Sequence, residues 1–437
     1  MTDHRVKSLL LAAGLGTRLR PITERIPKCL VPIAGRFLLD HWVDALHAAS
    51  VRDARINTHH LPQFVQAYLN RINRSGELTL TQTHEPNLLG SAGTVTANRD
   101  LADDADQIII IYADNLSNVN LAEMLRFHNQ HDDPFTMLLF HAPDPAACGI
   151  ATLDDHDRIV DFIEKPDRPS SDLANAGVYI VDADAYRQVA DAGAFDFGFE
   201  VLPQFVGRMR GFVWNGYHLD IGSHENLTRA NADAPAHFTH RRTFSAAGLR
   251  PAVFLDRDGT INVDVSYLSD PAEMKLIDGA ADAICRLREA GFACVVITNQ
   301  SVVGRGRITE DQLTEIHQAM HRQLADHGAA LDGLYYCTTV PTTTDRTVIE
   351  DIDRKPGPGM IWRAAIELGL DLTQSWMVGD MISDVLVGHN AHCRGSIHVA
   401  TGQSTTTDEL PADVSFRTVP DIGAAADFIL SAAVATT

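Results

Sequence analysis

Two apolar runs, one in each half of the chain, end in loops of small and charged residues. Val6–Ala13 leads into Gly14-Leu15-Gly16-Thr17-Arg18, and Ala252–Leu255 leads into Asp256-Arg257-Asp258-Gly259-Thr260. A mostly apolar run leaves little face for water, so each is expected to be a parallel strand covered on both sides. The polar residues then fall beyond the strand's carboxyl end, where open α/β sheets bind ligands. Two such starts in 437 residues predict two domains, each able to bury its own core. Strands are expected at Ile108–Tyr112, Phe135–Phe140, Gly177–Val181, Cys294–Ile297 and Ser375–Val378. Helices are expected at Leu121–His131, Ala280–Ala290, Glu310–His327, Trp362–Leu368 and Ile422–Ala432. This alternation predicts doubly wound α/β architecture in both halves. The first domain is expected over 1–230 and the second over 251–432. Asn231–Pro235 and Arg241–Thr243 carry no clear period, so 231–250 reads as a linker, with a helix packed on the first domain as the alternative. The polar stretch Thr401–Pro411 reads as a loop.

Charge narrows the partners. Thirty-six Lys and Arg against 57 Asp and Glu leave a net charge of −21. Nucleic acid and anionic membranes are poor partners for such a surface. Phosphorylated metabolites remain open, because a few placed cations or a bound Mg2+ reverse the sign locally. Six scattered cysteines form no CxxC pair, which argues against a disulfide framework. The short apolar run before Gly14, Gly16 and Arg18 does not read as a signal peptide. No stretch approaches the ~20 apolar residues of a membrane span. The expected location is the cytoplasm, and a homo-oligomer is compatible with the composition.

The first loop suits a phosphate. Glycines let backbone N–H groups approach an anion closely, and Arg18 adds a charge-assisted contact. Lys28, in Pro27-Lys28-Cys29-Leu30, supplies a further cation. No GKS or GKT follows, so this is not a P-loop, nor is it a dinucleotide fingerprint. A glycine turn alone reads equally well as a strand–helix hinge; joined to Pro27-Lys28 it points to a nucleotide.

Over about residues 5–230 the chain resembles the sugar-1-phosphate nucleotidyltransferases. The resemblance continues through Leu89-Gly90-Ser91-Ala92-Gly93, Tyr112-Ala113-Asp114-Asn115, Phe162-Ile163-Glu164-Lys165-Pro166, Asn175-Ala176-Gly177 and Leu219-Asp220-Ile221-Gly222. It implies a Rossmann-like, GT-A-like fold, with Gly14, Gly16, Thr17 and Arg18 on the nucleoside triphosphate and Lys28 on the reacting phosphates. It implies Mg2+ held by Asp114 and Asp220. Glu164, Lys165 and Asn175 would face the sugar phosphate, and Gly90 and Gly93 would lie near base and sugar. The implied reaction is attack of a sugar 1-phosphate oxygen on the α-phosphorus, with pyrophosphate leaving. Positioning, metal and cations carry such a reaction without a protein nucleophile. Singly, Asp114 also reads as a helix cap, Lys165 as a surface lysine and Asp220 as a turn former; their order carries the resemblance.

The second loop places carboxylates at i and i+2 beyond a strand. One can attack phosphorus while the other handles a proton. Thr298 offers a hydroxyl for phosphate, Lys355 a cation for an aspartyl phosphate, and Asp380 and Asp384 oxygens for Mg2+. DxD alone is a weak signal; DxDGT, TN, K and GDxxxD in this order are a strong one. Over about residues 251–432 the pattern resembles the haloacid-dehalogenase (HAD) type phosphatases. Within these it is most similar to D-glycero-D-manno-heptose 1,7-bisphosphate phosphatases and the sister histidinol-phosphate phosphatases. The signatures are Asp256–Asn262, Thr298–Ser301, Arg305-Gly306 and Arg354–Met360. The resemblance implies a HAD-like doubly wound fold, Asp256 as nucleophile and Asp258 as acid, then base. It also implies Asn299, Arg305 and Arg354 on the substrate, and Mg2+ held by Asp256, Asp258 and Asp380.

One departure stands out. Family members commonly carry a zinc loop, CxH and then CxC before RKP. Here only Cys337 of the four positions remains, with Thr339, Asp351 and Asp353 in the others. One thiolate with carboxylates is a poor zinc site. No structural zinc is expected, and the loop must be held by packing and hydrogen bonds.

The two resemblances fit one route. Heptose 1,7-bisphosphate losing its 7-phosphate gives heptose 1-phosphate, a nucleotidyltransferase substrate. The first half is nearer guanylyl- and mannose-type members, so the expected second step is heptose 1-phosphate guanylylation from GTP, with the α anomer. Other substrates keep both folds: mannose 1-phosphate, or uridylylation of an amino-sugar 1-phosphate, with a histidinol-phosphatase-like or general sugar phosphatase. A scaffold with one dead site is disfavoured by complete motifs in both halves.

Overall fold

The computed structural model describes residues 4–238, 243–402, 410–411 and 414–434. The chain divides into two compact units, Met1–Thr23 with Pro27–Ala247 and Glu24–Ile26 with Gly248–Thr437.

In the first unit the apolar run is strand Val6–Leu11, paired in parallel with Gln107–Tyr112 on one side and Asp53–Thr58 on the other. Thr79–His84 extends the parallel part. Beyond Gln107–Tyr112 the sheet turns antiparallel through Leu173–Asp182, which also pairs with Phe135–His141. A hairpin of Gly149–Leu153 and Ile159–Glu164 forms the edge. The sheet is therefore mixed rather than doubly wound throughout. Strand Leu173–Asp182 starts four residues before the expected Gly177, because the glycine interrupts the apolar run without ending the strand. Its register shifts between Asn175 and Tyr179, with Gly177 at φ 69° inside the irregularity.

Helix His224–His237 runs through Asn231–Pro235, part of the stretch read as a linker. Side-chain bonds rather than apolar period hold it there. Asn231 Oδ1 accepts from the Ala34 amide at 2.7 Å, and the Tyr217 hydroxyl donates to Asp233 at 3.1 Å. Further on, the Ser245 amide donates to Asp44 at 2.8 Å, and Phe244 stacks on His47.

The second unit is a six-stranded, wholly parallel sheet. Its order is Gly333–Cys337, Ala293–Asn299, Ala252–Leu255, Trp376–Gly379, Gly395–Val399 and Phe416–Val419. Helices Ala280–Glu289, Glu310–Asp326, Gly359–Leu368, Ile382–Asn390 and Ile422–Val434 are the expected ones plus the GDxxxD helix. From Ala252–Leu255 the sheet grows first to one side, through Ala293–Asn299 and Gly333–Cys337, and then to the other, from Trp376–Gly379 on, so that strand's carboxyl end opens on a crevice. Of the polar stretch after Thr401, residues 403–409 lie outside those described. Among the described residues no helix is long and apolar enough to cross a membrane.

Candidate active sites

In the first unit, Leu11 ends its strand and the Ala12 amide donates to Asn57 Oδ1 at 2.6 Å. Asn57 Nδ2 in turn donates to Glu85 at 2.9 Å and to Thr94 at 3.0 Å, all three buried. This network ties the first glycine loop to the second, because the Leu89 amide also donates to Glu85 at 3.3 Å. Sequence reading missed Asn57 and Glu85; both stand in locally polar stretches, Arg55–His60 and Thr83–Asn87, so nothing in the sequence set them apart. Gly16 sits at φ 60°, and a Cβ there would lie 2.7 Å from Thr23 Cγ2.

The expected metal-holding pair is assembled by a two-stranded ribbon. Asn115–Ser117 pairs with His218–Asp220, so Asp114 and Asp220 meet although 106 residues separate them in the chain. Lys28 enters from a 3-10 turn after Pro27 and is buried between them. Its Nζ lies 2.8 Å from Asp114 Oδ2 and 3.5 Å from Asp220 Oδ1. Arg18 Nη2 lies 3.7 Å from Asp220 Oδ2. Two carboxylates converging on one point are donors that suit a hard divalent cation. Glu164 is half-buried, and burial raises its pKa, with Asp196 adding to the rise and Lys165 opposing it. Asn175 donates to Tyr179 Oη at 2.8 Å and accepts from the Gly177 amide at 3.0 Å, which leaves its second N–H for a ligand. Gly90 packs on Phe195 so tightly that any Cβ would strike the Phe195 carbonyl.

In the second unit, Asp256 follows its strand directly and its amide donates to the Val378 carbonyl at 2.9 Å. Lys355 Nζ is 2.7 Å from Asp256 Oδ1 and 2.6 Å from Asp384 Oδ1. Lys355 is placed by a reciprocal clamp: its amide donates to Asn299 Oδ1 at 3.0 Å, and Asn299 Nδ2 donates to its carbonyl at 3.2 Å. Oxygens of Asp256, Asp380 and Asp384 lie within 4.8 Å of one another. Burial, then the neighbouring carboxylates, push Asp380 up to about 8. Burial pushes Asp256 up to about 7, with Lys355 resisting and Asp384 adding to the rise. Burial alone would lower Lys355, but Asp256 and Asp384 raise it. Asp256 and Asp384 share one ammonium, and the third carboxylate, Asp380, has Oδ1 buried without a hydrogen bond. That donor set fits a divalent cation such as Mg2+. Glycines allow this crowding: a Cβ on Gly259, at φ 77°, would lie 2.7 Å from Asp380 Cγ.

Asp258 is not part of this carboxylate group, and here the structure differs from the sequence reading. Its carboxylate accepts from Arg257 Nη2 at 2.8 Å, Gln300 Nε2 at 2.9 Å and Asn262 Nδ2 at 3.0 Å. Burial would raise its pKa, but Arg257 overrides this and holds it below the usual value. The physical reason is Arg257 itself, a buried cation that takes the adjacent carboxylate as partner. The third carboxylate of the group is Asp384.

A cavity of about 490 Å3 opens above Asp256. Thr298, Asn299, Arg305, Arg354, Lys355 and Asp380 line it, as the sequence predicts for one site. Tyr267 and Arg346 line it too and went unread. Tyr267 carries Arg307 4.1 Å over its ring. The loop that departs from the zinc pattern is cross-linked by polar bonds. Thr339 Oγ1 donates to Asp351 at 2.6 Å, Arg354 Nη1 to the Thr339 carbonyl at 2.8 Å, and the Asp353 amide to Asp351 at 2.9 Å. Burial raises the Cys337 thiol.

These two sites, on two α/β units, define a bifunctional enzyme with a nucleotidyltransferase domain and a HAD phosphatase domain. Residues 7–237 match the nucleotidyl transferase family model, and 352–425 match a HAD-hydrolase-like model. The chain belongs to the nucleotidyl transferase family, and its phosphatase half belongs with the heptose-bisphosphate 7-phosphatases. The D-glycero-beta-D-manno-heptose-1,7-bisphosphate 7-phosphatase of Photorhabdus laumondii is 39% identical over 174 residues, 39% of this chain and 93% of its own length. The protein of the same name from Yersinia pestis is 41% identical over 174 residues, again 39% of this chain and 93% of its own. That of Escherichia coli K12 is 40% identical over 174 residues, 39% of this chain and 91% of its own.

Proposed function

We propose that the chain prepares a nucleotide-activated heptose in two steps, first removing the 7-phosphate of D-glycero-D-manno-heptose 1,7-bisphosphate and then transferring a nucleotidyl group to the heptose 1-phosphate. The observation that carries this is the joining, in one chain, of a phosphatase half akin to the heptose enzymes and a nucleotidyltransferase whose substrate class is the phosphatase product. In the first step an Asp256 oxygen attacks phosphorus and the bond to the C7 oxygen breaks, while Asp258 gives that oxygen a proton. Asp258 then takes a proton from water as the water oxygen attacks the aspartyl phosphate, and phosphate leaves. The Arg257-paired carboxylate of Asp258 corresponds to the base-ready form of that cycle. Thr298 holds the phosphoryl group, Lys355 offsets its charge beside Asp256, and Asn299, Arg305 and Arg354 receive the rest of the substrate.

In the second step a 1-phosphate oxygen bonds to the α-phosphorus, and the bond to the bridging oxygen of the β-phosphate breaks. Lys28 and Arg18 offset the charge on the reacting phosphates. Gly14, Gly16 and Thr17 cradle the triphosphate, Gly90 and Gly93 border base and sugar, and Glu164, Lys165 and Asn175 orient the sugar phosphate. Asp114 with Asp220, and Asp256 with Asp380, would each hold Mg2+, which when bound screens phosphate charge. The loop around Cys337 needs no zinc. The nucleotide is GTP and the sugar the α anomer. A second reading takes the β anomer, because the similar phosphatases are named for it. Purified protein, the α and β bisphosphates, a mannose 1-phosphate control and each of the four NTPs, with mass spectrometry of products, test this. A nucleotide sugar formed from neither heptose anomer overturns it.

A further inference from the structure

Gln300 lies buried beneath the phosphatase cavity, and no step above uses it. Its side-chain amide makes three bonds to groups that matter. Nε2 donates to Thr298 Oγ1 at 2.8 Å and to Asp258 Oδ2 at 2.9 Å. Oε1 accepts from Arg257 Nη2 at 3.0 Å. Its backbone amide donates to the Cys337 carbonyl at 2.7 Å, which anchors the residue to the neighbouring strand. The neighbours fix the amide's orientation. Turned over, its oxygen would face the Asp258 carboxylate and its NH2 would face a guanidinium.

An amide nitrogen has two hydrogens, and here each goes to a group expected to do chemistry. The consequence for Thr298 follows from donor count. A hydroxyl has one proton and two lone pairs. Because Thr298 Oγ1 accepts from Gln300, its proton points elsewhere, and among the described residues it has no hydrogen-bond acceptor. Thr298 lines the same cavity as Asp256 and Lys355, so that proton is free for a phosphoryl oxygen.

We infer that Gln300 is a positioning residue of the phosphatase: it makes the Thr298 hydroxyl an obligate donor to the phosphoryl group and fixes the direction of the Asp258 carboxylate. This rests on the phosphatase reading above. Gln300 touches no substrate and acts through Thr298 and Asp258. It couples the group that holds phosphate to the group that moves the proton.

The test uses the full chain with Mg2+, an aryl phosphate and a sugar bisphosphate. Gln300→Met keeps the volume and removes the polarity. It should lower the rate of phosphate release about tenfold to a hundredfold, within the range of lost hydrogen-bond and acid–base assistance. Gln300→Glu keeps the shape but offers Thr298 only an acceptor, so its rate should fall below that of Gln300→Met. In a Thr298→Val background the penalty for Gln300→Met should shrink about tenfold, because one of its two clients is gone. That change in coupling is the readout that a packing role would not give. Equal penalties in both backgrounds, or Gln300→Met with the parent rate, overturn the inference. A Gln300→Glu chain faster than Gln300→Met also overturns it. If the parent releases no phosphate from either compound, the phosphatase reading falls and this inference with it.

Discussion

Removing metal and raising the pH should destabilise the second unit, and Mg2+ should reverse the effect. Asp256, Asp380 and Asp384 crowd within 4.8 Å around the single ammonium of Lys355. A carboxyl with a higher pKa folded than unfolded binds protons more tightly when folded. For Asp256 the resulting stability is complete below the ordinary value of 3.8 and is lost as the pH rises through about 7. Between pH 5 and pH 9 that is a loss of ~3 kcal/mol for this one carboxyl, at ~1.4 kcal/mol per pH unit. Asp380 titrates with it and is not added separately. A loss of ~3 kcal/mol lowers Tm by ~6–12 °C in a unit of this size. Calorimetry of the full chain from pH 5 to 9 measures it, with chelator, with saturating Mg2+, and for Asp380→Asn. Mg2+ should flatten the slope, because the folded site binds it through ionised carboxylates. Asp380→Asn should flatten it by removing one of the crowded charges. A metal-free chain with the same transition at both ends of the range refutes the reasoning, as does Asp380→Asn with the parent slope.

Asp256→Asn should abolish phosphate release and leave nucleotidyl transfer intact, and Lys28→Ala should lower transfer by about a hundredfold or more and leave phosphate release intact. Loss of both activities from either change in a folded chain would end the two-site reading. Protein purified without chelator should contain no tightly held zinc by elemental analysis; about one zinc per chain would contradict the hydrogen-bonded loop at Thr339, Asp351 and Asp353. Asp258→Asn should cost ~10²–10⁴ in phosphoenzyme formation from a sugar bisphosphate and much less from an aryl phosphate, whose leaving group needs no proton. Equal penalties, measured by rapid quench, would remove the acid role.

The strands that carry the sites were legible because their chemistry is extreme. Ala252–Leu255 is apolar throughout and Val6–Leu11 is apolar apart from Lys7 and Ser8, and a strand covered on both faces is what suits such runs. The antiparallel edge of the first sheet was not legible. Hairpin Gly149–Leu153 with Ile159–Glu164 is short and half-exposed, so local sequence competes weakly with tertiary pairing. The end of helix His224–His237 reads first as a linker, with a helix only as the alternative, for a similar reason: its last turns are held by Asn231 and Asp233 bonds to distant residues. Motif residues gave the members of each site but not their internal pairing. Nothing in Asp256-Arg257-Asp258 says that the arginine takes the second carboxylate, or that Gln300 completes the set. Those bonds depend on which side chains the sheet buries together.

Both sites solve one electrostatic problem in the same way. A carboxylate set able to hold a divalent cation repels itself until that cation arrives, and each site answers with a buried lysine. Lys28 lies 2.8 Å from Asp114 and 3.5 Å from Asp220, and Lys355 lies 2.7 Å from Asp256 and 2.6 Å from Asp384. The ammonium stabilises the folded, metal-free site, and in the proposed mechanism the same charge faces phosphate once substrate enters. In a chain of net charge −21 this placement matters more than the total. It also sets the two sites apart. Around Lys355 three carboxylates outnumber the cation and are buried, so metal binding and phosphate approach must be strongly coupled there. Asp220 is exposed and shared with Arg18, so solvent screens the first site and the coupling should be weaker. Raising the salt concentration should therefore weaken nucleotide binding in the first unit more than metal binding in the second.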